Sequence, residues 1–248
     1  MTHPICNDIT RFLESWAPLE LAAPWDNVGL QIGDPSLPIK SILLSLDVDR
    51  ALLNTLNHTH YDLVITHHPL FFKPVKSLHF SDDMGQAVTA FLTHKTQLYT
   101  LHTNLDAAVD GVNDCLVEAY GFTPKKGHPI EGGFGKWFQL DAPMSLSELT
   151  SIMPCTVLGH QKPASIKRVG FLGGSGHGML NTVSELNIDC FITGEITYHD
   201  EVFCDLNAIT TLALGHKQSE ELILPKMQAK LQAKFPAINV TTIDEVTP

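Results

Sequence analysis

Short apolar runs of strand character alternate with amphipathic stretches along this 248-residue chain, and nothing else in the sequence constrains the fold so tightly. Residues 41–48 (SILLSLDV), 62–66 (DLVIT), 98–101, 166–172, 189–193 and 209–214 predict strands. Residues 49–57, 84–94, 112–120, 179–186 and 219–233 predict the helices between them. Such alternation calls for crossover connections, so the expected class is α/β, with mainly parallel sheets flanked by helices. The runs are apolar almost throughout, as befits strands covered on both faces.

The alternation also repeats. IKSILLSLD at 39 resembles IKRVGFLGG at 166, and YDLVITHH at 61 resembles IDCFITGE at 188, both at an offset of 127 residues. TLHTNLD at 100 and LALGHKQSE at 212 align at a shorter offset, which places extra chain in the first half around 69–80. Two related α/β lobes follow. The stretch PKKGHPIEGG, followed by GGFGKWFQL, interrupts the pattern and sets the expected division at 1–126 and 127–248, with the C-terminal segment free to pack back on the first lobe.

Composition removes several classes. No segment approaches the roughly 18 apolar residues needed to span a bilayer, and MTHPICNDITRFLESW does not read as a secretory signal. Five cysteines without a CxxC pair fit reduced thiols in a cytoplasmic protein. A formal net charge of −11 disfavours broad attraction to nucleic acid. Thirteen histidines are the oddity, and several stand at strand ends.

DLVITHHPLF ends a buried strand in His67 and His68, with Pro69 stopping regular pairing so that both rings can face one cavity. HTNLD gives His102 and Asp106, and GHKQSE gives His216 and Glu220, each pair at i, i+4, where two side chains on a helix share a face. The carboxyl ends of strands are where open α/β sheets place their sites. Imidazole and carboxylate without thiolate suit zinc, iron, manganese, cobalt or nickel. Adjacent imidazoles suit two divalent ions better than one, and Asp106 or Glu220 could bridge them. The bland readings are a surface pair for His216 and Glu220 and a capping turn for HTNLD; three such groups at equivalent strand ends favour metal.

Other motifs carry less. FLGGSGHG at 171–178 lacks the P-loop Lys-Ser/Thr and reads as a tight turn between strand and helix. TGEITYHD at 193–200 offers Glu195, Tyr198 and His199 as acid/base or substrate-contacting groups, or as an ordinary strand–helix turn. PWDNVGLQIG at 24–33, with Trp25, Asp26 and Asn27, reads as loop.

Taken together, PWDNVGLQIG, VITHHPLFF, LHTNLDAAVDGVND, FITGEITYHD and GHKQSE resemble the NGG-one interacting factor three-like family, catalogued as GTP cyclohydrolase I type 2 homologues, in its short bacterial form. The resemblance covers nearly the whole chain. It implies two intertwined α/β lobes, a dinuclear metal centre, and a homohexameric ring with its metal sites facing an internal cavity. The family's ligands fall on His67, His68, Asp106, His216 and Glu220, with His102 beside the metals. The function expected is a metal-dependent hydrolase, GTP-type ring opening being its most specific version, with His102 or Glu195 moving protons on a small-molecule, nucleotide-like substrate. The alternatives are a non-catalytic metal-handling or scaffold protein and, least favoured, a ring around nucleic acid.

Overall fold

The computed structural model describes residues 3–159, 163 and 165–246. The chain falls into two compact units, one running up to Ala108 and resuming at Leu224, the other spanning Val109–Ile223. The first contains α1 (Cys6–Trp16), β1 (Gly29–Ile32), β2 (Ser41–Ser45), α2 (Arg50–His58), β3 (Leu63–Thr66), α3 (Asp83–His94), β4 (Gln97–Thr100) and α4 (Thr103–Ala107). The second contains α5 (Val112–Ala119), β5 (His128–Pro129), β6 (Lys136–Met144), α6 (Leu146–Thr150), β7 (Thr156–Leu158), β8 (Ile166–Ser175), α7 (Leu180–Glu185), β9 (Cys190–Glu195), α8 (Tyr198–Leu206), β10 (Thr210–Ala213) and α9 (His216–Glu220). Then α10 (Ile223–Lys234) leads to β11 (Asn239–Thr242) and α11 (Ile243–Val246) in the first unit.

Among the described residues the first sheet runs β11-β2-β3-β4-β1, parallel except for β1 against β4. The second runs β5-β6-β8-β9-β10-β7, with only β8, β9 and β10 mutually parallel. This sheet is mixed where the sequence predicts mainly parallel strands. The turn joining β5 to β6 spans only residues 130–135, which suffices for an antiparallel return but not for a crossover.

The unit boundary also differs in position from the glycine- and lysine-rich stretch at 126/127. Leu116, Val117 and Tyr120 of the α5 segment are buried with Phe138, Val169 and Phe171, so α5 belongs to the second core. A long predicted helix at 219–233 is instead two, α9 and α10. Pro225 occupies the first turn of α10, where its missing N–H is not required, and there it prevents α9 from continuing through.

The repeat is exact in register. Ile42 pairs with Leu63 as Val169 pairs with Cys190, and Leu63 pairs with Gln97 as Cys190 pairs with Thr210. Asp62 Oδ2 accepts from the amides of Lys40 and Ser41; Asp189 Oδ2 accepts from those of Lys167 and Arg168, each 127 residues on. Lys95 and Ala208 both take left-handed φ values (53° and 56°) to close the helix ahead of β4 and β10. Both faces of the second sheet are covered: Cys190 and Ile192 face one cluster, while Phe191 between them faces the other with Leu180, Val183 and Cys204. In the first unit Leu43, Leu52, Val64, Phe91 and Leu98 are buried together, each contributing about 1.5–3 kcal/mol by leaving water.

Candidate metal centre

In the first unit β3 delivers the two adjacent histidines. All four of its residues are buried, and the amides of His67 and His68 extend the ladder to the carbonyls of Ser45 and Leu46 before the chain bends at Pro69. The rings converge, with centroids 4.9 Å apart. β4 delivers His102 at the N-cap of α4, where the Asn104 side chain accepts from the His102 amide. The three rings pack as a triangle, His102 lying 5.2 Å from His67 and 5.4 Å from His68. Each offers a ring nitrogen, and these lie within 4.8 Å of one another. One turn into α4, Asp106 brings Oδ1 to 3.6 Å from His67 Nε2.

The second unit assembles a set of its own. His216 opens α9 immediately after Gly215, whose φ of 95° suits glycine. Glu220, one turn on and buried, sets Oε1 3.4 Å from His216 Nε2. Gly174 of β8 runs so close that a Cβ there would meet Glu220 Oε1 at 2.2 Å. FLGGSGHG is therefore no plain tight turn: Gly173 and Gly174 lie within β8, their amides donating to Asn113 Oδ1 and Ser219 Oγ.

All four histidines share one feature. Nδ1 of His67 faces the Leu101 carbonyl at 2.9 Å, that of His68 faces Asp47 Oδ1 at 2.9 Å, that of His102 faces Asp26 Oδ1 at 2.8 Å, and that of His216 faces Glu195 Oε1 at 3.0 Å. An oxygen at Nδ1 holds the proton there and presents the Nε2 lone pair outward. Metal-binding histidines have this arrangement, the partner fixing ring orientation and raising basicity. The donors thus fit divalent metal in identity, tautomer and convergence.

Asp26 is the best-anchored of these partners. Its carboxylate is fully buried and also accepts from the Thr103 amide and hydroxyl. Burial alone would raise its pKa, but the hydrogen bonds from His102 and Thr103 more than offset that and bring it down to about 2. Asp26 and Asp47, which orient the His102 and His68 rings, are positions that the sequence reading passes over. The signal for Asp26 was faint, a single acid in a turn-rich segment. Glu195, expected as a proton carrier, lies against His216, while Tyr198 and His199 are exposed at the start of α8. The five cysteines are free thiols, and burial pushes that of Cys6 up to about 11.

Known proteins resemble this chain in both sequence and fold. The model of the Duf34/NIF3 (NGG1p interacting factor 3) family matches residues 4–248, and the chain belongs to that family. A Clostridium perfringens protein named GTP cyclohydrolase 1 type 2 homolog is 30% identical over 92% of each chain. A hypothetical protein of Staphylococcus aureus superposes with a TM-score of 0.83 at 25% identity, covering 97% of this chain and 96% of its own. Reduced HcgD from Methanocaldococcus jannaschii gives 0.86 at 24% identity, over 97% of this chain and 98% of that one, a likeness of fold. Among the described residues no helix is long and apolar enough to cross a membrane.

Proposed function

We propose that His67, His68, Asp106, His216 and Glu220 serve one centre of two divalent ions, and that the protein is a metal-dependent hydrolase. The observation that carries this reading is the common Nδ1 anchoring of four histidines, each beside a second donor. Bound there, the ions would supply Lewis acidity, lowering the pKa of water and polarising the bond to be attacked. The chain's own contribution is orientation and proton transfer. Leu101, Asp47, Asp26 and Glu195 fix the rings. His102, held by Asp26, is the group we assign to take and return a proton at Nε2, with Glu195 a second carrier beside His216. Ring opening of a GTP-type heterocycle is the most specific form, in keeping with the name of the Clostridium relative. The family resemblance supports a homohexameric ring as the working assembly.

A metal-handling role without turnover is the competing reading, favoured by the partial exposure of His68 and His216 to solvent. Protein loaded with iron, manganese or zinc and assayed on GTP and related ring compounds separates the two. Turnover that falls about 100-fold in His102→Ala, with metal content retained, supports the hydrolase. Absence of turnover in every metal form, with release rate the only property altered, supports metal handling.

A further inference from the structure

The connection after His68 is longer than its counterpart in the repeat. Residues 67–82 join β3 to α3, whereas only 196–197 join β9 to α8. This difference of fourteen residues is the drop from the 127 offset to the 113 that separates Gln97 from Thr210. The excess chain begins at the histidine pair and walls a cavity of about 780 Å³, within the range of small-molecule sites.

The cavity is built on defined contacts. Asn27 Nδ2 donates to the Phe71 carbonyl at 2.7 Å, and the Phe71 amide donates to Gln31 Oε1 at 3.0 Å, tying the insertion to the chain just ahead of β1 and to β1 itself. Trp25 and Phe72 meet edge to face with centroids 5.7 Å apart. Both also touch the His102 ring, at 6.1 and 6.2 Å. Trp25 is 62% exposed and Phe72 48%, so each still presents ring surface. Lys73 and Lys76 line the same cavity, whereas the Asp26 carboxylate is turned inward. The result is an aromatic wall beside His102 with two lysine residues in the same lining, on a chain of net charge −11.

We propose that this cavity binds a planar aromatic ring carrying a phosphate anion, with the ring packed on Trp25 and Phe72 and the anion held by Lys73 and Lys76. Aromatic side chains accept any base by its π-face, and lysine serves phosphate as a point charge. Both rings on which such a ligand would pack also touch His102. The inference deepens the hydrolase reading by giving its nucleotide-like substrate a binding surface, and rests on that reading only for the consequence of binding.

The test is calorimetric titration of GTP, guanosine and inorganic triphosphate into metal-depleted protein. Saturable GTP binding is expected, weakened tenfold or more by Trp25→Ala and by the Lys73→Ala/Lys76→Ala pair. Guanosine should bind more weakly, respond to Trp25→Ala and ignore the lysine changes. Trp25→Phe, which keeps an aromatic face, should restore most of the GTP affinity, and unchanged melting curves would exclude unfolding. Equal GTP affinity across all variants overturns the proposal, as does no saturable binding. A fall in sedimenting mass on Trp25→Ala without a change in GTP binding also overturns it and assigns the face to a second copy of the chain. The two readings fail separately. Metal-dependent turnover with an unaltered KM in Trp25→Ala sinks the cavity alone, and Trp25-dependent binding without turnover in any metal form sinks the hydrolase alone.

Discussion

Replacing Asp26 by Asn changes one atom in a fully buried group and should be felt by both the fold and His102. The carboxylate accepts from His102 Nδ1 at 2.8 Å, from the Thr103 amide at 3.0 Å and from the Thr103 hydroxyl. An amide keeps one acceptor corner and turns the other into a donor. If the oxygen stays on Thr103, the new NH₂ faces His102 Nδ1, which must then give up its proton and let Nε2 carry it. Hydrogen bonds to a charged group are worth about 1.5–3 kcal/mol each, so a loss of about 2–4 kcal/mol is expected. The carboxyl pKa gives a similar figure: about 2 against an ordinary 3.8 corresponds to about 2.5 kcal/mol at 1.36 kcal/mol per unit. Because the folded pKa is depressed, this stabilisation is fully present above pH ~4 and disappears as pH falls through about 2. Urea unfolding of metal-depleted protein from pH 7 downward, with nitrogen-15 NMR of the His102 ring, measures both effects. A gap under about 0.5 kcal/mol at pH 7, a gap that persists undiminished at pH 2, or a His102 ring that keeps its Nδ1 proton would refute the reasoning.

Asp62→Asn and Asp189→Asn should each cost about 1–3 kcal/mol by urea unfolding, since each carboxylate receives two backbone amides at one oxygen. For Asp62, burial raises the pKa but these bonds hold it below the usual range, so the cost should shrink as pH drops below about 4. Gly174→Ala drives a methyl to 2.2 Å from Glu220 Oε1 and 3.3 Å from His216 Nε2 at a φ of 66°; equilibrium dialysis should show metal affinity lowered at least ~10-fold. His216→Ala should lower bound metal by elemental analysis while leaving the circular dichroism spectrum intact, because the side chain is partly exposed at the start of α9, outside the apolar core.

The sequence conveyed the central strands because β3 is apolar up to Thr66, β9 opens on Cys190, Phe191 and Ile192, and β2, β4 and β10 are short runs buried at nearly every position. It conveyed the potential ligands because HHP, HTNLD and GHKQSE stand where those runs stop. The edge strands were harder to see. Asn239–Thr242 is polar and pairs with β2 across almost the whole chain length, and Thr156–Leu158 is three residues long. The acceptors that orient the rings were hidden for a similar reason: Asp47 lies 21 residues from His68 and Asp26 lies 76 from His102, so no local pattern links them. α1 carried little warning either, since Ile5 at its N-cap makes no side-chain hydrogen bond.

The exact register of the repeat has a consequence for heredity. α4 and α9 start 113 residues apart, at Thr103 and His216, yet His102 and His216, like Asp106 and Glu220, are 114 apart. A shift of one residue turns a side chain about 100° around a helix axis. Where β3 runs on into His67 and His68, the matching positions after Thr193 hold Gly194 and Glu195. The pairing register repeats but the side-chain chemistry does not. Grafting the ligands of α4 or α9 onto the aligned positions of the other would therefore point them along the wrong bearing, and the two units cannot substitute for each other as donors even though their central ladders share a pairing register.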